Sequence, residues 1–296
     1  MIAAHPTDSV SRQAPVALKL LVALALAGSL AGCSTLESLN PFGGGEKYET
    51  KLLPDEPADQ IYDQGLARLS KGDAEGAAKK FADLDKQYPF SQHSRRGMIM
   101  TTYAQYQAGQ YDDAIATAGR YVSLYPSSPD AAYATYLAAM SHYNQVPDIS
   151  RDQDRSEKAL QLFTSLVQKW PKSEYAEDAK YKINVVRDQL AGKEMSVGRY
   201  YLGRKNFTAA VNRFRDVIGK YQTTRHSEEA LYRLTEAYLA LGIVNEAQTA
   251  AAVLGHNFPD SQWYKDAYSL LKTGGTEPSE DQSSWISKAF RKVGLG

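Results

Sequence analysis

Apolar positions recur along most of this 296-residue chain with the period of a helix, and one motif returns five times. A small residue is followed four places later by an aromatic or small apolar residue. Three places on comes another bulky residue, then an aromatic–proline pair. The copies are Ala77, Phe81, Leu84, Tyr88-Pro89, then Ala114, Ala118, Tyr121, Tyr125-Pro126, and then Ala159, Phe163, Leu166, Trp170-Pro171. Ala210, Phe214, Val217, Tyr221-Gln222 follows with its proline lost, and Ala247, Ala251, Leu254, Phe258-Pro259 is the last. The i, i+4, i+7 spacing puts each set on one helix face, and proline prevents the helix from continuing. A second stripe precedes several copies: Tyr62, Gly65, Leu66, Leu69 before Gly72, Met98, Thr102, Tyr106 before Gly109, and Leu231, Leu234, Tyr238 before Gly242. A glycine at the end of a helix supplies the turn into the next one.

Helix–turn–helix units recurring at about 34 residues are the signature of tetratricopeptide repeats. One pair cannot bury its apolar face alone, so pairs stack into a superhelix with a concave surface. The pattern therefore predicts an all-α fold, a tetratricopeptide-type helical-repeat superhelix of about five helix pairs over residues 58–271. The copies are unevenly spaced. Residues 144–158, "NQVPDISRDQDRSEK", are polar and contain proline, which reads as a loop joining the helices of the third pair. Tyr175, Ala179, Ile183, Val186 and Leu190 form one stripe, continued by Met195, Val197 and Tyr201, which predicts a long helix interrupted near Gly192. Residues 272–296 read as a flexible tail. Within it Trp285, Ile286, Ala289, Phe290 and Val293 share one side of a short amphipathic helix, suited to a membrane surface or a partner if it is not simply frayed.

The N-terminus follows a different pattern. Arg12 and Lys19 precede an apolar run from Leu20 to Leu30. A bilayer span needs about 20 apolar residues, so the run is too short, and it reads as a secretory signal peptide over residues 1–32. Leu30-Ala31-Gly32-Cys33 resembles a bacterial lipobox, in which the cysteine sulfur takes a diacylglycerol and the new amine an acyl chain. Cys33 is the only cysteine; a thiolate is the natural nucleophile for alkylation, and a lone cysteine in an exported protein calls for such an explanation. Resemblance to bacterial lipoproteins implies that aspartate after the cysteine would retain the chain at the inner membrane, so Ser34 favours the outer membrane, on its periplasmic face. Residues 33–57 hold Gly43-Gly44-Gly45, Pro41, Pro54 and Pro57 with no apolar period, which reads as lipid anchor and flexible tether.

Charge and chemistry narrow the function. Basic and acidic residues number 34 each, which offers no basic face for a nucleic acid. His5, His93, His142, His226 and His256 are scattered without metal-ligand spacing. No nucleophile elbow or phosphate-binding glycine loop occurs, and no thiol remains for catalysis. The chain reads as a non-enzymatic scaffold without metal or cofactor, the covalent lipid apart. Its 20 tyrosines against 8 phenylalanines suit grooves as well as crowded helix contacts, because tyrosine buries a ring and keeps a hydroxyl.

Lipobox, tether and five repeats together resemble the ComL family of outer-membrane protein assembly lipoproteins. "YPFS" at Tyr88–Ser91, "RYVSLYPSSPDAAYATYLAA", "FTSLVQKWPKSEYAEDA" and "RDQLAGKEMSVGRYYLGRKNFTAAVNRF" carry the likeness. The last is the most specific, since no general repeat consensus requires "KEMSVGRYY". The resemblance implies a partner of the β-barrel insertase, held by its periplasmic domains against the C-terminal repeats, with further assembly lipoproteins as candidates. It also implies that the N-terminal repeats receive unfolded outer-membrane proteins. A groove of Tyr62, Tyr88, Phe90, Tyr103 and Tyr106 suits an extended segment with alternating apolar residues. Inter-helix packing is the competing role for these aromatics. Tyr200, Tyr201 and Arg213 are the residues expected near the insertase. Arg213 corresponds to an arginine that the family associates with that contact, and a solvated charge paired with Asp216 is the alternative. A periplasmic adaptor for cell-wall or cell-division complexes is the rival function.

Overall fold

The computed structural model describes residues 56–292 and Gly294. The signal peptide, Cys33 and nearly all of the expected tether lie outside the described residues. Twelve α-helices and no strand occupy the described residues. In chain order they are α1 (Ala58–Ser70), α2 (Ala74–Gln87), α3 (Gln92–Gln107), α4 (Tyr111–Leu124), α5 (Ala131–Tyr143) and α6 (Asp154–Lys169). There follow α7 (Ala176–Gly203), α8 (Phe207–Lys220), α9 (Ser227–Ala240), α10 (Val244–Asn257), α11 (Gln262–Thr273) and α12 (Trp285–Lys292). Five consecutive pairs, α1/α2 to α9/α10, pack helix on helix, and each pair packs on the next.

The repeated motif forms the spine of this array. Ala77, Phe81, Leu84, Ala114, Ala118, Tyr121, Ala159, Phe163, Leu166, Ala210, Phe214, Val217, Ala247, Ala251 and Leu254 are all fully buried. Small residues set the spacing between helices. A Cβ on Gly65 would lie 2.5 Å from the Phe81 ring, and one on Gly198 2.4 Å from the Phe214 ring. Only a glycine lets these backbones approach that closely. Gly72, Gly109 and Gly242 make the turns within three pairs at φ +80°, +73° and +73°. In the fourth pair Lys205 makes the same turn at φ 59°, a left-handed conformation that costs a side-chain-bearing residue roughly 1–2 kcal/mol. In the third pair the turn is replaced by residues 144–153, shorter than the 144–158 loop expected from the sequence because Asp154–Lys158 already belong to α6.

Two elements differ from their sequence-based expectation. Helix α7 runs unbroken for 28 residues, about 42 Å at 1.5 Å per residue. Gly192 does not interrupt it. That glycine is buried, and a Cβ there would sit 3.3 Å from Nε2 of His226, so its role is to admit α9 rather than to end α7. The first half of α7 closes the cluster of Ala139, Phe163 and Leu166. Its second half, through Ala191 and Met195, enters the C-terminal cluster.

The second difference is at the C-terminus. The amphipathic helix forms, as α12, but its apolar face turns onto the protein's own α8 and α10. Ile286 and Phe290 are buried there. Instead of hanging free, residues 276–284 are tied down on the way. Gln248 Nε2 donates to the Glu277 carbonyl at 2.7 Å, the Asp281 N–H to Thr249 Oγ1 at 3.2 Å, and Ser284 Oγ to Glu246 at 2.8 Å. No described helix is long and apolar enough to cross a membrane.

Candidate functional site

The first helices of successive pairs lie side by side, α1 against α3 and α3 against α5, so side chains on their common face form a continuous surface. Its middle is a tyrosine array. Tyr175, just before α7, stacks against both Tyr133 and Tyr136 of α5, each with ring centroids 5.0 Å apart. Tyr136 donates its hydroxyl to Asp178 of α7 at 2.8 Å. Asn144 Nδ2 donates to the Tyr106 hydroxyl at 3.0 Å and lies 3.4 Å from that of Tyr111, and the two rings sit 5.8 Å apart. Beyond them the Lys182 ammonium lies 5.3 Å from the Tyr143 ring.

Burial sets the chemistry of the array. It pushes the Tyr133 hydroxyl up to about 12, with the nearby Tyr103 and Tyr106 adding to the shift. Burial raises Tyr136 and Tyr175 too, reinforced by Asp178 and Glu174 respectively. These hydroxyls therefore stay protonated and act as donors, while the rings offer apolar edges. Such a surface suits a polypeptide with alternating apolar side chains.

The five aromatics expected to line the groove are divided by the structure. Tyr103 and Tyr106 stand on α3 beside the array. Tyr62 is half-buried, its ring 5.5 Å from Phe81 and 5.8 Å from His93. Tyr88 donates its hydroxyl to the Glu56 carbonyl at 2.8 Å. Phe90 projects fully into solvent from the α2–α3 turn. Sequence reasoning passed over Tyr133, Tyr136 and Tyr175 as site residues. The i, i+3 tyrosines of "AAYATY" were the available signal, but the stacking depends on Tyr175, 42 residues beyond Tyr133, and no local pattern encodes that contact.

The residues expected at the insertase contact are placed in two spots. Tyr200 is exposed, with Tyr201 5.5 Å away and the Arg204 guanidinium 4.6 Å from its ring. Tyr201 packs against the C-terminal cluster. Arg213 pairs with Glu194 of α7 at 3.2 Å, whereas Asp216 takes Lys220 at 2.9 Å. The i+3 alternative for Arg213 is thereby corrected: at that point α7 brings a carboxylate from the neighbouring helix. Among the described residues no cluster of three or more His, Cys, Asp or Glu could hold a metal ion.

Fold and surface together define an all-α helical-repeat protein with a tyrosine-rich face. Residues 54–254 match the family YfiO, described as outer membrane lipoprotein, and the chain belongs to that family. The chain is 44% identical over 259 residues to the Caulobacter vibrioides protein called outer membrane protein assembly factor BamD, covering 88% of this chain and 82% of that one. It is 39% identical to the Rickettsia prowazekii protein of the same name, over 86% of this chain and 97% of the relative. A Neisseria meningitidis serogroup A relative, also so named, is 32% identical over 84% and 95%. The family resemblance drawn from "KEMSVGRYY" and its companions holds.

Proposed function

We propose that this protein is a non-enzymatic scaffold lipoprotein of the outer membrane, facing the periplasm and anchored through lipid on Cys33, that serves the assembly of β-barrel outer-membrane proteins. The observation that carries the proposal is the match, along nearly the whole helical array, to relatives named as outer membrane protein assembly factors. The tyrosine array supports the capture of unfolded barrel segments, because an extended chain presents every second side chain to one face. Binding is expected at the micromolar scale, about −8 kcal/mol, since ordering a flexible segment offsets much of the contact energy. The insertase sits on the C-terminal repeats, near Tyr200, Tyr201 and Arg213.

Depletion of the protein in its own cells tests the reading. Barrel proteins are expected to drop in the outer membrane and to be restored by the wild-type chain but not by Cys33→Ser. Unchanged barrel levels with a disturbed cell wall or division would replace the proposal by the adaptor function. For the capture surface, a barrel protein's C-terminal peptide is titrated against wild type and the Tyr136→Ala/Tyr175→Ala pair. A several-fold loss with an unchanged circular dichroism spectrum supports the array; equal affinity for a scrambled peptide removes it.

A further inference from the structure

The two halves of the array repeat one another, and the repetition exposes an unfilled position. Aligning the second pair with the fourth by the register of the repeat motif sets Ala114, Ala118 and Tyr121 on Ala210, Phe214 and Val217. The same repeat register sets Ala159, Phe163 and Leu166 on Ala247, Ala251 and Leu254. In the C-terminal half, the furrow between second helices α8 and α10 is filled by α12. Four contacts hold that helix and its lead-in. Trp285 Nε1 donates to the Tyr238 hydroxyl at 3.3 Å, and the Arg215 guanidinium lies 4.7 Å from the Trp285 ring. Ser284 donates to Glu246, and the Asp281 N–H to Thr249.

The same register places His142 at Tyr238, Gly119 at Arg215, Lys158 at Glu246 and Gln161 at Thr249. All four line one cavity of 340 Å³ between α4 and α6, floored by α5. Its walls are apolar, with Ile115, Val122, Ala138 and Leu162 among them, and Lys158 and Lys169 stand at its rim. The molecule thus shows in its own C-terminal half what such a furrow accepts: an amphipathic helix led by an aromatic side chain.

The rim decides which helix. Where the filled furrow carries Glu246 and Asn257, the open one carries Lys158 and Lys169. The ion pair of Lys158 with Asp154, at 2.8 Å, is largely exposed, and such pairs hold their partners weakly. Helix α12 carries Lys288, Arg291 and Lys292 and no carboxylate, so α12 from a second copy has no acid to offer this rim. We propose that the α4–α6 furrow is a docking site for an amphipathic helix of a partner protein, with an aromatic or aliphatic face turned inward and carboxylates facing Lys158 and Lys169. This site is separate from the tyrosine array and does not depend on what that array binds.

The test uses the full chain in mild detergent and two fluorescent peptides. One is the Ser283–Lys292 sequence; the other carries glutamate at the positions of Lys288, Arg291 and Lys292. The acidic peptide is expected to bind saturably and the basic one far more weakly. Lys158→Glu with Lys169→Glu should weaken the acidic peptide about tenfold and improve the basic one. Gly119→Trp should block the furrow, because a side chain at Gly119 meets nothing within 4 Å and grows into the open space while α4 stays intact by circular dichroism. No saturable binding of the acidic peptide overturns the proposal, as does binding that survives Gly119→Trp. Equal or tighter binding of the basic peptide also overturns it and makes a second copy the occupant.

Discussion

The N-terminal and C-terminal halves use one repeat motif to different ends. From α7 onward a single cluster runs from Ala191 to Phe290 and draws on α7, α8, α9, α10, α11 and α12. Before it, the buried residues divide into three smaller clusters, one for each pair and its neighbour. The difference follows from two additions. The length of α7 ties the third pair to the fourth, and α12 covers the fourth and fifth. A repeat array behaves as a sum of units and their interfaces. The C-terminal half is therefore expected to unfold as a block, while the N-terminal pairs keep an open furrow and can yield locally.

The largest test of this contrast compares two phenylalanines that sit identically, each against a helical glycine. Phe214→Ala should lower the main urea transition by about 3–5 kcal/mol. Phe81→Ala should instead detach the first pair as a separate, earlier transition seen by circular dichroism. Equal losses in a single transition would abolish the distinction between the halves. Next comes α12. Ile286→Ala should destabilise the C-terminal block by about 2 kcal/mol, the low end of a large-to-small core change because α12 is only eight residues long. Hydrogen exchange should then show faster opening of α8 and α10, with α2 and α4 unaffected.

A smaller effect is expected at the turn of the fourth pair. Lys205→Gly should stabilise the block by roughly 1 kcal/mol, because it removes the left-handed strain that Gly72, Gly109 and Gly242 avoid elsewhere. No gain in melting temperature would mean that the lysine side chain offsets the strain.

The smallest effect expected is on pH. His142 in the N-terminal half and His226 in the C-terminal half are each pushed below the ordinary histidine value, mainly by burial. Near His142, Arg155 and Lys158 add to the effect, with Asp154 and Asp112 opposing it. Near His226, Asp188 opposes it most, at 3.7 Å. The unfolded chain takes up a proton near pH 6.5, while each folded imidazole does so only at lower pH. Stability is full above that value and falls as pH drops through it. Melting temperatures from pH 8 to 5 should show the fall, and His142→Tyr, which installs the residue of the equivalent position in the other half, should reduce it and leave the share of His226. A flat profile in the wild type would show that neither imidazole is held neutral.

Nearly the whole scaffold was legible in the sequence. The helix pairs, their buried faces and the glycine turns follow from periods of a few residues, and local spacing encodes them directly. The sequence also placed the short amphipathic helix at Trp285. Legibility ended where a contact joined distant residues. Gly192 looked like a break because helix propensity is local, yet packing against His226 supports the helix there. Arg213 has an acid at i+3, yet Glu194 of the preceding helix reaches it instead.

The sequence by itself determined the helical class, the repeat register, the near-neutral charge and the single cysteine of this outer membrane lipoprotein family member. Only the tertiary structure decided which tyrosines meet, that α12 turns its apolar face inward, and that the equivalent furrow at α4–α6 stays open. Periodicity states that a face must be covered, because apolar surface is costly in water. What covers it is settled by the stacking of pairs, which brings together residues that no local pattern connects.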